Sequence, residues 1–151
     1  MAKIGVVHYN FPGDLESFLD FAAEVGFEYT ELLAEDLWKE GQSYEEALAS
    51  AQRVRTLLDQ RGMKVSALAA QNDFLVTSQE DMEFQVERLQ QVCRLADVLG
   101  TRLLRVDGGW PKEGVPEERW VELMVEGFSR CRDFIEKEDF KFALDNHGLV
   151  T

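Results

Sequence analysis

A repeated unit of helix, glycine and strand constrains the fold of this chain more than any other feature of its sequence. In each copy an amphipathic segment ends at a glycine, two or three residues follow, and a short apolar run begins. The glycine recurs as Gly26, Gly62 and Gly100, and Asp139 stands at a fourth junction of the same kind. The spacing of roughly 37 residues is typical of one β-strand/α-helix unit. The chain is therefore predicted to alternate strands and helices along its whole length.

Four helices are predicted from apolar side chains that recur at steps of three and four residues. Ser43 with Glu46, and Thr77 with Glu80, have the spacing of capping boxes, while Pro116 suits the first turn of the fourth helix. The apolar stripes are Leu15, Phe18, Ala22 and Val25; Ala47, Ala51, Val54 and Leu58; Met82, Val86, Leu89, Cys93 and Ala96; and Val121, Met124, Phe128, Cys131 and Ile135.

Five strands are predicted between these helices, because the intervening runs are apolar on both faces, as parallel strands covered by helices are. They are Ile4–Val7, Phe27–Leu32, Val65–Ala70, Leu103–Val106 and Phe140–Leu144. The fold class is therefore α/β. We expect a single domain over residues 1–151, the N-terminal half of a (β/α)₈ TIM barrel, with four βα units and a fifth parallel strand.

An open doubly wound sheet is the alternative architecture. The chain has neither of the glycine-rich phosphate-binding motifs that a nucleotide-binding fold of that class normally carries after an early strand. A flavodoxin-like sheet that binds another small ligand stays open, and strand order separates the two folds. A barrel requires the order 1-2-3-4-5, whereas the flavodoxin-like sheet requires 2-1-3-4-5.

Composition and charge narrow the possible partners and locations. The formal charge of −13 repels phosphate backbones and acidic membranes, so we expect no nucleic acid partner. No apolar run approaches the roughly 20 residues of a membrane helix, and the first residues lack the pattern of a signal peptide, so a cytoplasmic location is expected. Cys93 and Cys131 lie in helical patterns without close spacing, which favours reduced, half-buried packing residues over a disulfide.

Polar residues gather after the predicted strands, where the active sites of barrels lie. The opposite ends of the strands show no comparable set, which favours an active-site rim over random polar surface. The candidates are His8 and Asn10 after the first strand, Glu31 at the second, Gln71, Asn72 and Asp73 after the third, Asp107 and Trp110 after the fourth, and Asp145, Asn146 and His147 after the fifth.

Several of these candidates also have a structural explanation. His8 can be hydrogen-bonded inside the barrel mouth, and Glu31 can pair with Arg105 across the strand ends. Asp73 suits a turn, as do its neighbour Asn72 and the Asp107-Gly108-Gly109 segment. Trp110 can pack as part of a lid rather than against a ligand.

The strongest cluster is Asp145-Asn146-His147-Gly148, which places a carboxylate, an amide and an imidazole at the exit of a buried strand. Four successive polar or flexible residues at this position do not contribute to a hydrophobic core. A carboxylate beside a histidine can bind a divalent metal or move protons, and Gly148 lets the backbone turn sharply. This segment is therefore the leading candidate for function.

Four segments, in this order and spacing, resemble the xylose isomerase-like TIM barrels, a family that includes sugar phosphate isomerases and epimerases. They run from Gly26 to Leu32, from Leu68 to Phe74, from Leu99 to Gly109 and from Ala143 to Gly148, and are similar to the family patterns G-[FY]-D-G-V-E-L, L-S-x-x-N-D-F, L-G-x-x-x-L-R-V-x-x-G and A-x-E-N-H-G.

The resemblance implies a divalent metal ion (Mn, Mg, Co or Zn) held by the fifth-strand carboxylate, which can also act as an acid or base. That position is Asp145 here, where the family usually has glutamate, and the other family ligands come from later strands. The metal would hold two neighbouring oxygens of a keto-sugar or sugar phosphate and stabilise an enediolate during isomerisation or epimerisation. The implied substrate-binding residues are His8, Glu31, Asn72, Asp107, Trp110, Asn146 and His147. A related branch of the fold cleaves DNA, and the acidic charge argues against that activity.

A second hypothesis is a non-catalytic half-barrel, or an incomplete gene product, that forms a homo-oligomer through its open sheet edges. The length of the intact gene product distinguishes it from the enzyme, since an enzyme requires further βα units.

Overall fold

The computed structural model describes residues 4–9 and 11–146, in which five strands alternate with four α-helices. The strands are β1 (Gly5–Val7), β2 (Tyr29–Leu33), β3 (Lys64–Ala69), β4 (Leu103–Val106) and β5 (Lys141–Leu144). The helices are α1 (Leu15–Val25), α2 (Tyr44–Gln60), α3 (Gln79–Val98) and α4 (Trp120–Glu138), with short 3-10 turns at Ala34–Asp36 and Glu117–Arg119. Asn10, His147 and Gly148 lie outside the described residues.

All five strands belong to one sheet, and every neighbouring pair is parallel in the order β1-β2-β3-β4-β5. This order confirms the prediction of a partial TIM barrel and excludes the flavodoxin-like order. The β2–β3 pairing contains one irregularity, because Thr30 pairs with Val65 while Glu31 pairs with Ala67. The residue between them, Ser66, donates its hydroxyl to the carbonyl oxygen of Thr30 at 3.1 Å.

The residues predicted to stand at the helix-to-strand junctions all have a left-handed backbone conformation. Gly26 and Gly100 take the left-handed region with φ of 93° and 82°, which glycine adopts without the Cβ clash of other residues. Asp139 takes the same conformation at the end of α4, with φ of 55°. The replacement of glycine by aspartate therefore keeps the fourth junction intact.

The predicted helix starts are confirmed at α2 and corrected at α3 and α4. Ser43 and Glu46 form both hydrogen bonds of a capping box. At α3 the prediction of Thr77 is wrong by one residue, because Ser78 accepts from the amide of Asp81 and offers the same spacing one position later. Pro116 has extended ψ of 148° and precedes a 3-10 turn, so α4 begins only at Trp120.

The core lies between the sheet and the helices. Paired residues of parallel strands point to the same face, so Leu32, Leu68 and Leu104 form one row, and each is fully buried on the helix side. Glu31 and Arg105 occupy the alternate positions and project to the opposite face. Both cysteine thiols, Cys93 and Cys131, are free and fully buried, deeper than the half-burial predicted.

The two edges of the sheet are less well covered by helices than its central strands. Val25 and Val121 belong to the predicted core-facing stripes, but they are 56% and 67% exposed. Phe21 on α1, Val125 on α4 and the edge-strand residues Ile4 and Leu144 are also exposed. We call Ile4, Phe21 and Val25 the α1 flank, and Val121, Val125 and Leu144 the α4 flank. Within the described ranges, no helix is both long and apolar enough to cross a membrane.

Candidate functional site

A cleft of about 670 Å³ opens at the carboxyl ends of the strands, on the face that the helices do not cover. Alternation along each strand explains its lining, because residues two apart point to the same face. The lining residues are Val7, Tyr9, Glu31, Leu33, Gln71, Arg105, Asp107, Trp110 and Asp145. Five of the candidate residues, from the ends of four different strands, therefore share one cavity.

Arg105 on β4 forms the centre of the cleft by bonding two carboxylates, one on β2 and one just after β5. Its Nε lies 2.6 Å from Glu31 Oε1, and its Nη1 lies 2.5 Å from Asp145 Oδ2. All three side chains are between 25% and 29% exposed. We call this group the carboxylate bridge. Burial alone would lower the pKa of Arg105, but the hydrogen bonds and charges of Glu31 and Asp145 outweigh it and raise that pKa.

The carboxylate bridge answers one question that the sequence left open, since Glu31 does pair with Arg105 across the strand ends. The pairing does not remove Glu31 from the cleft, because both residues also line it. The site therefore contains a fixed cation with two flanking carboxylates, held by β2, β4 and the end of β5.

Asn72 lies behind the wall of the cleft rather than in its lining. Its Nδ2 donates to the carbonyl oxygen of Asp107 at 2.5 Å, and the amide of Asp107 donates back to Asn72 Oδ1 at 3.0 Å. Asn72 is only 3% exposed. This two-bond clamp ties the end of β3 to the end of β4, and it holds Asp107 at the edge of the cleft.

His8 points away from the cleft. Val7 and Tyr9 face the cleft, so alternation turns His8 toward the helices, where its ring lies 4.6 Å from that of Phe18. Its Nδ1 lies 2.7 Å from Asp36 Oδ1, and Asp36 Oδ2 accepts from the amide of Leu33 at 2.8 Å. Desolvation raises the pKa of Asp36, although the bonds from Leu33 and His8 offset part of this effect. The structure thus separates His8 from the other candidates.

Two exposed aromatic rings stand at the mouth of the cleft. Tyr9 is 68% exposed and Trp110 is 53% exposed. The loop that carries Trp110 is organised by Asp73, whose Oδ1 accepts from the amides of Leu75 and Trp110 and whose Oδ2 pairs with Lys112 at 2.5 Å. Asp73 therefore orders a loop, in agreement with the turn interpretation.

Asn146 follows Asp145 directly and is exposed at the end of β5, while His147 lies outside the described residues. The sequence candidates did not include Tyr9, and they treated Arg105 only as a partner of Glu31. Both could have been found from strand alternation, since Arg105 stands two residues before Asp107 and Tyr9 stands two after Val7.

A divalent metal does not fit the described residues by themselves. Among them, no group of three or more histidine, cysteine, aspartate or glutamate side chains is arranged to hold an ion. Asp145, the family-like ligand, already bonds Arg105 through Oδ2. A metal centre on this face would need ligands from elsewhere and a rearrangement around Asp145.

Parallel strands in sequential order define a TIM-barrel type of protein, and the polar cleft lies at the carboxyl ends of the strands, the face on which such barrels carry their active sites. The chain belongs to the xylose isomerase-like TIM barrel family, whose model matches residues 19–150. Among curated protein sequences no significant match was found.

Solved structures share this fold at low sequence identity. A 3-keto-D-glucoside 4-epimerase from E. coli has a TM-score of 0.73 and 12% identity, with 95% of this chain and 56% of that chain covered. A D-psicose 3-epimerase solved with D-fructose has a TM-score of 0.73 and 14% identity, with 98% and 55% covered. An IolI protein with a bound zinc atom has a TM-score of 0.72 and 16% identity, with 95% and 51% covered. The chain thus spans about half the length of these structures.

Proposed function

We propose that this chain forms part of an isomerase or epimerase that moves a proton beside the carbonyl of a keto-sugar or sugar phosphate. Family membership and the epimerases among the structural neighbours support an activity of this general type. The observation that carries the proposal is the carboxylate bridge, which places a cation between two carboxylates inside a cleft of ligand size.

Proton transfer beside a carbonyl requires a base and a group that stabilises the enediolate oxygen. Asp145 can supply the base, because it is a carboxylate at a strand end that faces the cleft. Arg105 stays protonated at all relevant pH values, and its fixed positive charge can stabilise the developing oxyanion. A positioned base typically contributes about 10²- to 10⁴-fold to the rate.

The remaining lining suits a sugar. Tyr9 and Trp110 expose ring faces that can pack against the apolar C–H face of a sugar, while Glu31 and Asp107 can accept hydrogen bonds from its hydroxyl groups. Asn72 acts indirectly in this proposal by holding Asp107. Asn146 and His147, next to Asp145, stay predictions as substrate-binding residues.

The metal requirement also stays a prediction of the family resemblance. One structural neighbour, the IolI protein, holds zinc, but among the described residues of this chain no group of three or more candidate ligands is arranged to hold an ion. The roles proposed for Asp145 and Arg105 are proton transfer and charge stabilisation, and both are performed by side chains of this chain.

The test is the substitution Asp145→Asn, which keeps the size of the side chain and removes its charge. We expect turnover of keto-sugars to fall by about 100-fold or more, while Asp145→Glu retains activity because it restores the family carboxylate. The assay uses a panel of keto-sugars and their phosphates on the longest natural product that contains this chain, with elemental analysis of each variant.

Asp59→Asn is the matched control, since Asp59 is an exposed carboxylate near the end of α2 that pairs with Arg55. The control should leave turnover unchanged. Equal turnover of Asp145→Asn and the unsubstituted protein would remove Asp145 from the mechanism.

A second candidate function is a non-catalytic half-barrel that binds another copy of itself. The exposed α1 and α4 flanks favour it, because apolar residues cluster on both sides of the sheet.

A further inference from the structure

Gln71 has a backbone conformation that its residue type disfavours. Among the described residues, only Gln71 and Asp139 have positive φ without being glycine, at 51° and 55°. Asp139 has a clear structural reason, because it ends α4. Gln71 is in a different position, just beyond β3 at the carboxyl end of the sheet, where it lines the cleft.

The left-handed conformation brings Cβ close to the following carbonyl oxygen, and glycine avoids this clash while asparagine tolerates it. If the chain needed only the backbone turn at this position, glycine would serve better. Residues held in disfavoured conformations at a ligand cleft are candidates for function. The side chain of Gln71 is therefore a candidate for a functional role in the cleft.

That side chain is held by a single described hydrogen bond. Its Oε1 accepts from the backbone amide of Glu35 at 3.0 Å. Because the oxygen and nitrogen of an amide project in different directions, this bond sets the amide plane and leaves the Nε2 donors on the other side. Gln71 also lines the adjoining cavity of about 470 Å³ with Trp38, Phe84 and Arg88, so it stands at the boundary of two open spaces.

Carboxylates make up much of the polar lining of the cleft, which also contains the donors of Tyr9, Arg105 and Trp110. Glu31, Asp107 and Asp145 all present carboxylates, and the donors of Arg105 Nε and Nη1 are already directed to two of them. A sugar carries hydroxyl and carbonyl oxygens that must accept hydrogen bonds when they are buried. An amide with two oriented N–H groups supplies the donors that the carboxylates cannot.

We propose that Gln71 is a specificity-determining residue, whose side-chain amide donates to a hydroxyl or carbonyl oxygen of the bound sugar. The strained backbone is kept because it presents this amide to the cleft. This inference rests on the proposed function and deepens it, since it assigns recognition of a polyhydroxylated ligand to a residue outside the carboxylate bridge.

The competing explanation is that the turn at Gln71 only directs Asn72 into its clamp with Asp107. The two explanations predict different effects of glycine on ligand affinity, a loss if the side-chain amide contacts the ligand and no change if it serves only the turn. Gln71→Gly removes the strain and the donors together, whereas Gln71→Glu keeps an oxygen for the Glu35 amide and removes only the donors.

The experiment measures thermal midpoint and ligand affinity on the longest natural product that contains this chain, with D-fructose and D-fructose 6-phosphate as calorimetric probes. We expect Gln71→Gly to raise the midpoint by a few degrees and to weaken binding of the preferred probe about tenfold. Gln71→Glu should weaken binding at least as much. Asp139→Gly is the matched control, because it relieves the same conformation far from the cleft and should raise the midpoint without changing affinity.

The outcomes distinguish failure of the proposed function from failure of the role of Gln71. If neither probe binds the unsubstituted natural product, the proposed function fails and the role of Gln71 fails with it. If a probe binds and Gln71→Gly binds it equally well, only the role of Gln71 is overturned. A lower midpoint for Gln71→Gly alone would show that the conformation is not strained, and this result too would overturn the inference.

Discussion

The middle of the sheet and its two flanks use the same kinds of residue but bury them to different extents. Leu32, Leu68 and Leu104, on the central strands, are fully buried against the helices. Phe21 on the α1 flank is 46% exposed and Val125 on the α4 flank is 59% exposed. The apolar stripes of α1 and α4 are thus wider than the surface that the described strands and helices cover. The comparison shows that these helices carry the pattern of interior elements and are only half enclosed.

The carboxylate bridge extends across both regions. Glu31 and Arg105 belong to the central strands, while Asp145 follows the edge strand β5. The geometry of the candidate site therefore depends on the position of the α4 flank relative to the centre. Four predictions test this comparison, each with its own measurement.

The largest effect is expected from Phe74→Ala. Phe74 is fully buried, packs edge-on against Phe128 at 5.0 Å between ring centroids, and fits closely over Gly127. Its loss should lower the free energy of unfolding by about 3–5 kcal/mol, measured by urea denaturation. The flank counterpart Phe21→Ala should cost at most about 1 kcal/mol. Equal costs for the two variants would contradict the distinction between centre and flank.

Arg105→Met should have the next largest effect. It leaves two partly buried carboxylates without their shared cation, and we expect a loss of about 1–3 kcal/mol in unfolding free energy at neutral pH. Arg102→Met, at the exposed pair with Asp97, is the control and should change stability by less than about 1 kcal/mol. A loss no larger than that of Arg102→Met would show that the carboxylate bridge adds little to stability.

The flanks themselves are tested by association. We expect the 151-residue chain to form concentration-dependent oligomers, since apolar patches of this kind drive contact between molecules. The double substitution Val121→Ser and Val125→Ser should weaken association roughly tenfold, as judged by light scattering across a dilution series. Glu122→Ser, between them, serves as the control. A chain that stays monomeric at all concentrations would exclude flank-driven assembly.

The smallest effect concerns Asp36 and pH. Its pKa is raised in the folded state, so between the ordinary aspartate pKa and the raised value the folded chain binds more protons than the unfolded chain. Stability should therefore decrease as pH rises through this window. Asp36→Asn removes the titrating group and should make the free energy of unfolding less dependent on pH in this window. The measurement is urea denaturation at about pH 3 to 7, a range that includes the ordinary aspartate pKa. A slope that is unchanged in the variant would assign the pH dependence to another group.

Much of the fold could be predicted because its signals are local. Gly26, Gly62 and Gly100 mark helix ends through a backbone conformation that few residues adopt, and the stripes mark the helices. The start of α3 was placed at Thr77 instead of Ser78 because both residues are followed three positions later by an acidic residue. Local spacing alone cannot choose between two overlapping caps.

The candidate site was predicted less completely because it depends on which way each side chain points. His8 and Asp107 both follow strands, yet one faces the helices and the other faces the cleft. The first strand is too short to reveal an alternation of polar and apolar residues. Asn72 was placed in the site by its position in the chain, and its clamp could not be foreseen without the register of β3 and β4. Arg105 was considered only as a partner of Glu31, because the sequence of a four-residue strand does not show which of its side chains face the cleft.

The sequential strand order also bears on how the chain can fold as it leaves the ribosome. Each strand pairs with the strand immediately before it, so every closure spans only one βα unit, and the entropy of closing such loops grows slowly with their length. A newly synthesised unit finds its template already in place and does not have to wait for the end of the chain. Because the sheet gains each new strand at the same edge, every folding intermediate has an unpaired edge strand there. The backbone groups of that strand stay unpaired until the next strand is synthesised.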